Sequence, residues 1–386
     1  MGSDKLTLLQ FTNSRRTPGT QRQYRQSVCL FFECLSGRPY TGQSRSAEHL
    51  NEMDRMSSEY ISTDQNYFSD LLRFASFVAD SFSPNTMNTH LSVVIMWLEL
   101  NDIVISKRKL EAIKGSIEKR RVITKDHILT HEEIKKWYEH LTRIGRVALV
   151  IQMATGMRLG EVLGLLPEDV DLENRIVYVR RSNQKRKTTK NQKERITFLT
   201  EEALFILNEW LAYRDTFLEI ACKKSNTVRP KTRDDARLVP VTNSNIQEVY
   251  TRALEKAGLL VRDPDTHRAT ITSHSIRRYF ISQLKTAMPA EMVEALAGHE
   301  GYLSGAYRRY SVEQLQAEYD KACHLVSLSS PENLPAIKAD LQSQAEFSRS
   351  LASENMRLQQ QLQSEMRERE EQARRISAIE AAMSKR

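Results

Sequence analysis

Three short segments of this 386-residue chain carry residue types that can break a phosphodiester bond. Thr155–Arg158 ends in an arginine. Ser273–Tyr279 holds His274 and Arg277. Ala297–His299 runs on into Ala306–Tyr310. In chain order the reactive groups are Arg, His-x-x-Arg, His and Tyr. Guanidinium groups grip phosphate oxygens in pairs. Imidazoles move protons near neutral pH. A tyrosine hydroxyl can attack phosphorus and form a covalent intermediate, and fixed positive charge stabilises the oxyanion that develops.

Each segment also has a plainer reading. Arg158 precedes an apolar face of Leu159, Val162, Leu163 and Leu166, with Thr155-Gly156 as the expected helix start. That places it near a helix N-terminus, where an anion is favoured. Glu161 follows one turn later and can orient the guanidinium, but the same spacing is that of an ordinary surface ion pair. His274 and Arg277 lie one turn apart on one helical face, with Ile276 and Phe280 turned to the core. A phosphate fits above that face, and so does plain solvent. His299 follows Gly298, a natural helix C-cap, which places the imidazole at a turn. Tyr302, Tyr307, Tyr310 and Tyr319 compete as nucleophile. Ser311–Gln314 has the spacing of a capping box, so Tyr310 can staple onto Leu315. Tyr319 falls inside that helix, and Tyr302 sits close to His299. Tyr307 has no evident packing role and is the preferred candidate, with Tyr310 the alternative.

The elements that must hold these groups are mainly α-helical, with a small β-sheet. Arg175–Arg181 and Arg195–Leu199 are β-branched and aromatic and read as neighbouring strands. Between them the polar stretch from Ser182 to Glu194 carries Lys185, Arg186, Lys187, Lys190 and Lys193. Such a run is usually solvated surface; here it can track a DNA backbone, and a lysine at its tip can protonate a leaving oxygen. Residues 1–20 read as a flexible arm, and 21–120 as a helical bundle. Within that bundle apolar faces run along 20–35, 64–82 and from Pro84 on, and an exposed loop is expected over 36–60. Residues 121–129 are a linker that follows the basic Lys119-Arg120-Arg121. Thr130–Glu133 has capping-box spacing and opens a second domain, 130–330. His131, Glu132 and Glu133 fit that helix start better than a metal site. Residues 331–386 lack glycine and carry a half-polar heptad seam through Leu351, Asn355, Leu358 and Leu362, expected to be a helical tail and possible coiled coil.

Bulk composition is consistent with this assignment. Lys+Arg number 57 against 49 Asp+Glu, for a formal net charge of +8 that favours a polyanionic partner. The four cysteines, Cys29, Cys34, Cys222 and Cys323, have no Cys-x-x-Cys spacing and read as free thiols of a reducing compartment. No apolar stretch approaches spanning length. A soluble protein is expected, cytoplasmic, or nuclear if the source is eukaryotic.

Taken together, the segment Thr155–Leu165, His274–Phe280, Leu296–Tyr310 and the lysine-bearing hairpin resemble the catalytic domain of the tyrosine recombinases, or phage-type integrases, over about residues 125–328. The His299–Tyr319 run resembles the archaeal-type integrases. The helical region before it resembles the family's core-binding domain. The resemblance implies that Arg158 and Arg277 bind the non-bridging oxygens of the scissile phosphate. His274 takes or shares the tyrosine proton, His299 hydrogen-bonds the phosphate, and Glu161 supports the site. Lys190 protonates the departing 5′ oxygen, with Lys187 its rival because the hairpin is longer than usual. Counting from His299 lands on Arg308, so a one-residue shift is needed to reach Tyr307. The implied partner is double-stranded DNA at specific sites. The implied assembly is a homo-oligomer on DNA, a tetramer in synapsis, with Arg120, Arg121, Lys185, Arg186 and Lys193 on the backbone. No cofactor or metal is implied. The same chemistry would serve a type IB topoisomerase or telomere resolvase, and the same scaffold a catalytically silent DNA-binding protein.

Overall fold

The computed structural model describes residues 5–42, 45–115, 127–180, 194–223, 232–264, 268–298 and 310–329, with seven further positions from 350 to 369. The chain divides into two compact units. One is Met1–Lys125 with Asp263–Arg268; the other is Asp126–Arg262 with Ala269–Arg386.

The first unit is helical throughout its described residues: α1 (Leu8–Asn13), α2 (Pro18–Leu35), α3 (Ala47–Ser62), α4 (Tyr67–Ser81), α5 (Pro84–Glu99) and α6 (Lys107–Gly115). Its core centres on aromatic rings. Phe31 meets Phe32, Tyr60 and Phe74 edge to face at 5.4–5.5 Å, an arrangement that adds quadrupole attraction to the area buried. Prolines at the first positions of α2 and α5 cost nothing, since the N–H they lack has no intrahelical partner there.

Two expectations fail in this unit. Residues 5–20 are not a loose arm. Leu8 and Phe11 are fully buried, and Thr7 and Gln10 form a capping box that starts α1. Trp97 donates to the Leu6 carbonyl at 2.9 Å, and Asn101 accepts from the Leu6 N–H at 2.6 Å. The second half of 36–60 is not a loop but α3. Met53, Ser57, Tyr60 and Ile61 line its buried face, and Ser46 caps it. Polar residues on the other three sides of the helix mask that stripe in the composition.

The second unit holds α7 (His131–Glu139), α8 (Arg143–Thr155), α9 (Leu159–Val162), β1 (Val170–Asp171), β2 (Ile176–Val179), β3 (Arg195–Phe198), α10 (Glu201–Lys223), α11 (Asn243–Lys256), α12 (Ser273–Leu284), α13 (Ala290–Ala297) and α14 (Val312–Ala322). Helix α8 is buried on every side from Val147 to Thr155 and packs against α10 and α12. A helix apolar all round belongs at the centre of a unit. The strands form an antiparallel sheet in the order β1-β2-β3, with Val179 opposite Arg195 and Val177 opposite Thr197. The two longer strands match the expected pair; the two-residue β1 is an addition. Thr130 and Glu133 form the expected capping box at α7. The four cysteines are free. No helix among the described residues is long and apolar enough to cross a membrane.

Beyond residue 329 the structure describes only Ser350, Glu354, Arg357, Gln361, Ser364, Glu365 and Arg369, all helical and exposed. The rest of the heptad seam lies outside the described residues.

Candidate active site

Arg158 is the N-cap of α9, not a residue inside a helix begun by Thr155-Gly156. Those two residues end α8 instead. Gly156 closes it with φ +63, and a Cβ there would stand 2.3 Å from the Phe280 ring. Only glycine meets both demands at low cost. Because α9 is a single turn, its dipole is small, and attraction for an anion must come from side chains.

Those side chains converge on one carboxylate. Glu161 accepts the Arg158 backbone N–H at 2.9 Å and its guanidinium Nη1 at 3.2 Å. It also takes Arg195 on both oxygens, Nη2 at 2.6 Å and Nη1 at 3.2 Å. Glu161 is 1% exposed, Arg195 3% and Arg158 29%. Burial by itself would raise the Glu161 carboxyl. The charge and hydrogen bonds of Arg195, and then of Arg158, outweigh it and hold the group below the usual carboxylate range. The Arg158–Glu161 pair is therefore not the exposed ion pair its spacing also allowed.

Arg277 sits within α12 and is 1% exposed. Its Nη1 donates to the Gly156 carbonyl at 2.6 Å, which ties α12 to the turn before Arg158. Its buried Nη2 has no hydrogen-bond partner. Burial first, and then the positive charges of Arg158 and Arg195, lower its pKa to about 10. A buried cation with an orphaned donor, facing two further guanidinium groups, is costly unless an anion completes it. His274 lies one turn earlier on α12 and is exposed, while Ile276 and Phe280 are buried as expected. Thr272 caps the helix by accepting the His274 N–H.

Gln152 fixes the two halves of this arrangement. Its Nε2 donates to the carbonyls of Met157 at 3.3 Å and Ser273 at 3.4 Å, the residues just before Arg158 and His274. Tyr250 donates its hydroxyl to Gln152 Oε1 at 3.1 Å. Tyr319 is fully buried and donates to the Ala154 carbonyl at 2.8 Å, so it is occupied as a structural group. Tyr310 is half-buried against the core, directly before the Ser311 capping box. Gly298 ends α13 in the left-handed conformation, φ +80, as expected for the residue before His299.

His299, Tyr302 and Tyr307 lie outside the described residues, as do Lys185, Arg186, Lys187, Lys190, Lys193, Arg120 and Arg121. Among the described residues no group of His, Cys, Asp and Glu is arranged to hold a metal ion. Two site residues escaped the sequence reading: Arg195 and Gln152. Arg195 and Thr197 alternate along β3, and both are buried. Polar residues repeating at period two on the inner face of a strand are the signal that marked them. Gln152 showed only as an interruption of an apolar run.

Residues 127–311 match the model of the phage integrase family. Among curated proteins, the chain is 24% identical over 188 residues to tyrosine recombinase XerA of Saccharolobus solfataricus, covering 48% of this chain and 53% of that protein. It is 27% identical over 191 residues to tyrosine recombinase XerC of Lactobacillus leichmannii, covering 46% and 55%. The chain thus spans about half the length of these relatives. Among solved structures, it is 17% identical to the Tn1549 transposon integrase in complex with transposon right end DNA, covering 76% of this chain and 98% of that one, at a TM-score of 0.47. A lambda integrase dimer bound to a COC′ core site is 14% identical, covering 76% and 95%, at 0.44. The domain formed by residues 127–311 belongs to the phage integrase family of tyrosine recombinases.

Proposed function

We propose that the protein cuts and rejoins double-stranded DNA at specific sites through a 3′-phosphotyrosyl intermediate. Residues 130–330 form its catalytic domain, and the preceding helical unit supplies further DNA contacts. The observation that carries this reading is the buried Arg277 guanidinium, with its orphaned Nη2 beside Arg158, Glu161 and Arg195. In this reading a scissile phosphate completes the cluster, with Arg158 and Arg277 on its non-bridging oxygens. Tyr307 attacks phosphorus; its proton passes to His274, and the P–O5′ bond breaks. Lys190, or Lys187, protonates the departing 5′ oxygen, and His299 hydrogen-bonds the phosphate. A 5′ hydroxyl then attacks the phosphotyrosine, giving its proton back to the lysine, and the P–O bond to Tyr307 breaks as His274 returns the proton to the tyrosine oxygen. Bond energy is kept in the protein–DNA link, so the cycle balances without ATP. The guanidinium groups supply the charge stabilisation that the transition state requires.

DNA affinity in this reading is mainly electrostatic and salt-sensitive, with Arg120, Arg121, Lys185, Arg186 and Lys193 on phosphates. The reaction takes place on cytoplasmic DNA. The protein acts as a homo-oligomer, four copies at synapsis, and the 331–386 helix joins subunits.

The test is covalent capture on a pool of nicked duplexes with a randomised segment. When the nick lies just beyond the cleavage point, the short 5′-hydroxyl fragment diffuses away and the adduct persists. The wild-type chain should yield sodium dodecyl sulfate-resistant adducts enriched in one sequence, and Arg277→Met fewer by about 10²-fold or more. Binding without any adduct would replace the recombinase reading with a silent DNA-binding protein. Adducts with no enriched sequence, together with relaxation of any supercoiled plasmid, would replace it with a topoisomerase.

A further inference from the structure

Arg195 stands at a junction of three elements. It opens β3, directly after the hairpin segment that bears the candidate lysines. Its guanidinium takes both oxygens of Glu161 on α9. Its Nε donates to the Leu296 carbonyl in the last turn of α13 at 3.0 Å. The α13 helix ends two residues later at Gly298, where an added Cβ would lie 2.9 Å from the Arg195 side chain. Glycine is needed there both for its positive φ and because Arg195 fills the space.

We propose that Arg195 is a positioning residue that keeps Arg158 available to the phosphate. This inference rests on the phosphate-binding reading above. Arg158 and Arg195 compete for one carboxylate. Buried Glu161 must be neutralised. Arg195 does so with two charge-assisted bonds, leaving Arg158 a single guanidinium contact and 29% exposure. Without Arg195, the carboxylate has Arg158 as its only directly bonded cation among the described residues. Arg158 then closes onto it with both nitrogens, the strongest geometry for an Arg–carboxylate pair. A guanidinium withdrawn in this way is out of reach of the phosphate, and a displacement of about 1 Å at a reacting site costs about 10²-fold in rate.

The test compares wild type with Arg195→Met, Arg195→Lys and Arg158→Ala in the full chain. The first readout needs no DNA: the rate of phenylglyoxal labelling of Arg158, followed by mass spectrometry. Labelling should slow several-fold in Arg195→Met and lie between the two in Arg195→Lys. Unchanged or faster labelling in both folded variants overturns the inference. Should Arg195→Met fail to fold, Arg195→Lys decides alone. The second readout is covalent capture on the enriched duplex. Arg195→Met should capture about 10²-fold more slowly, and adding Arg158→Ala should cost little more. A methylphosphonate at the scissile position needs less positive charge, so it should recover part of the loss in both single variants. A merely structural role would give additive losses and no recovery. If the wild type captures no DNA while the labelling result holds, the functional reading falls and the positioning role stands.

Discussion

Replacing Arg277 by Met should make the second unit more stable while disabling it. The guanidinium is 1% exposed, and its pKa is lowered to about 10 by burial and by Arg158 and Arg195. At about 1.4 kcal/mol per tenfold change, that drop from the usual arginine range disfavours the charged form by roughly 3 kcal/mol. The sign is that of a base with a depressed folded pKa. The penalty is complete at every pH below about 10 and is relieved only as pH rises through that value. At neutral pH the wild type therefore bears all of it. Methionine removes the charge and keeps most of the volume. It forfeits the charge-assisted bond to the Gly156 carbonyl, about 2 kcal/mol, and a little packing. The net expectation is a gain of about 1 kcal/mol, in line with other replacements of buried charges by apolar groups. Hydrogen exchange of the α12 amides reads this unit by itself; exchange should slow about five-fold, the equivalent of that gain. Orthovanadate, a phosphate mimic, should slow exchange further in wild type and have no effect in the variant. Covalent capture of DNA should fall by about 10²-fold or more. Faster exchange in Arg277→Met, or equal protection of both proteins by vanadate, would refute the argument that this arginine waits for an anion.

Tyr307→Phe should abolish covalent adducts and leave duplex binding intact, because only the hydroxyl is lost; adducts lost instead in Tyr310→Phe would move the nucleophile. Lys190→Ala should slow cleavage of ordinary DNA and recover on a 5′-bridging phosphorothioate, whose sulfur leaves without a proton; recovery only in Lys187→Ala would reassign the general acid. Glu202 is buried, accepting from the Leu328 N–H at 2.6 Å and the Ser329 hydroxyl at 2.7 Å. Burial raises its pKa despite those bonds, so its protonated form favours folding, and stability should fall as pH rises from the ordinary glutamate range through the raised value. Glu202→Gln should remove that slope; a wild-type-minus-variant difference in urea stability that stays flat between pH 4.5 and 8 would contradict it. A chain ending at residue 330 should still form adducts on a half-site while its oligomers, by light scattering, shrink; unchanged assembly would remove the tail's proposed role.

Local chemistry along the chain was enough to fix many helix starts and the family. Thr130 with Glu133 and Ser311 with Gln314 begin α7 and α14, because a cap is satisfied within three or four residues and needs nothing distant; Pro84 begins α5 because the N–H it lacks has no intrahelical partner at a helix start. The two β-branched runs gave β2 and β3 through residue type alone, and the order of Arg158, His274, Arg277, His299 and tyrosine carried the resemblance to the family. Where apolar residues were few among polar ones, as in α1 and α3, the core that captures Leu8, Phe11 and Met53 decided the outcome. Pairing across long sequence distance was likewise decided by the tertiary structure. Arg277 was one polar residue on a helix until folding buried it against the Gly156 carbonyl, 121 positions away. Arg195 was a strand residue until Glu161, 34 positions earlier, and Leu296, 101 positions later, met on its guanidinium. Burial and charge sharing depend on what lies on the far side of a side chain. The sequence therefore supplied the groups, and only the packed interior determined which of them carry unpaired charge.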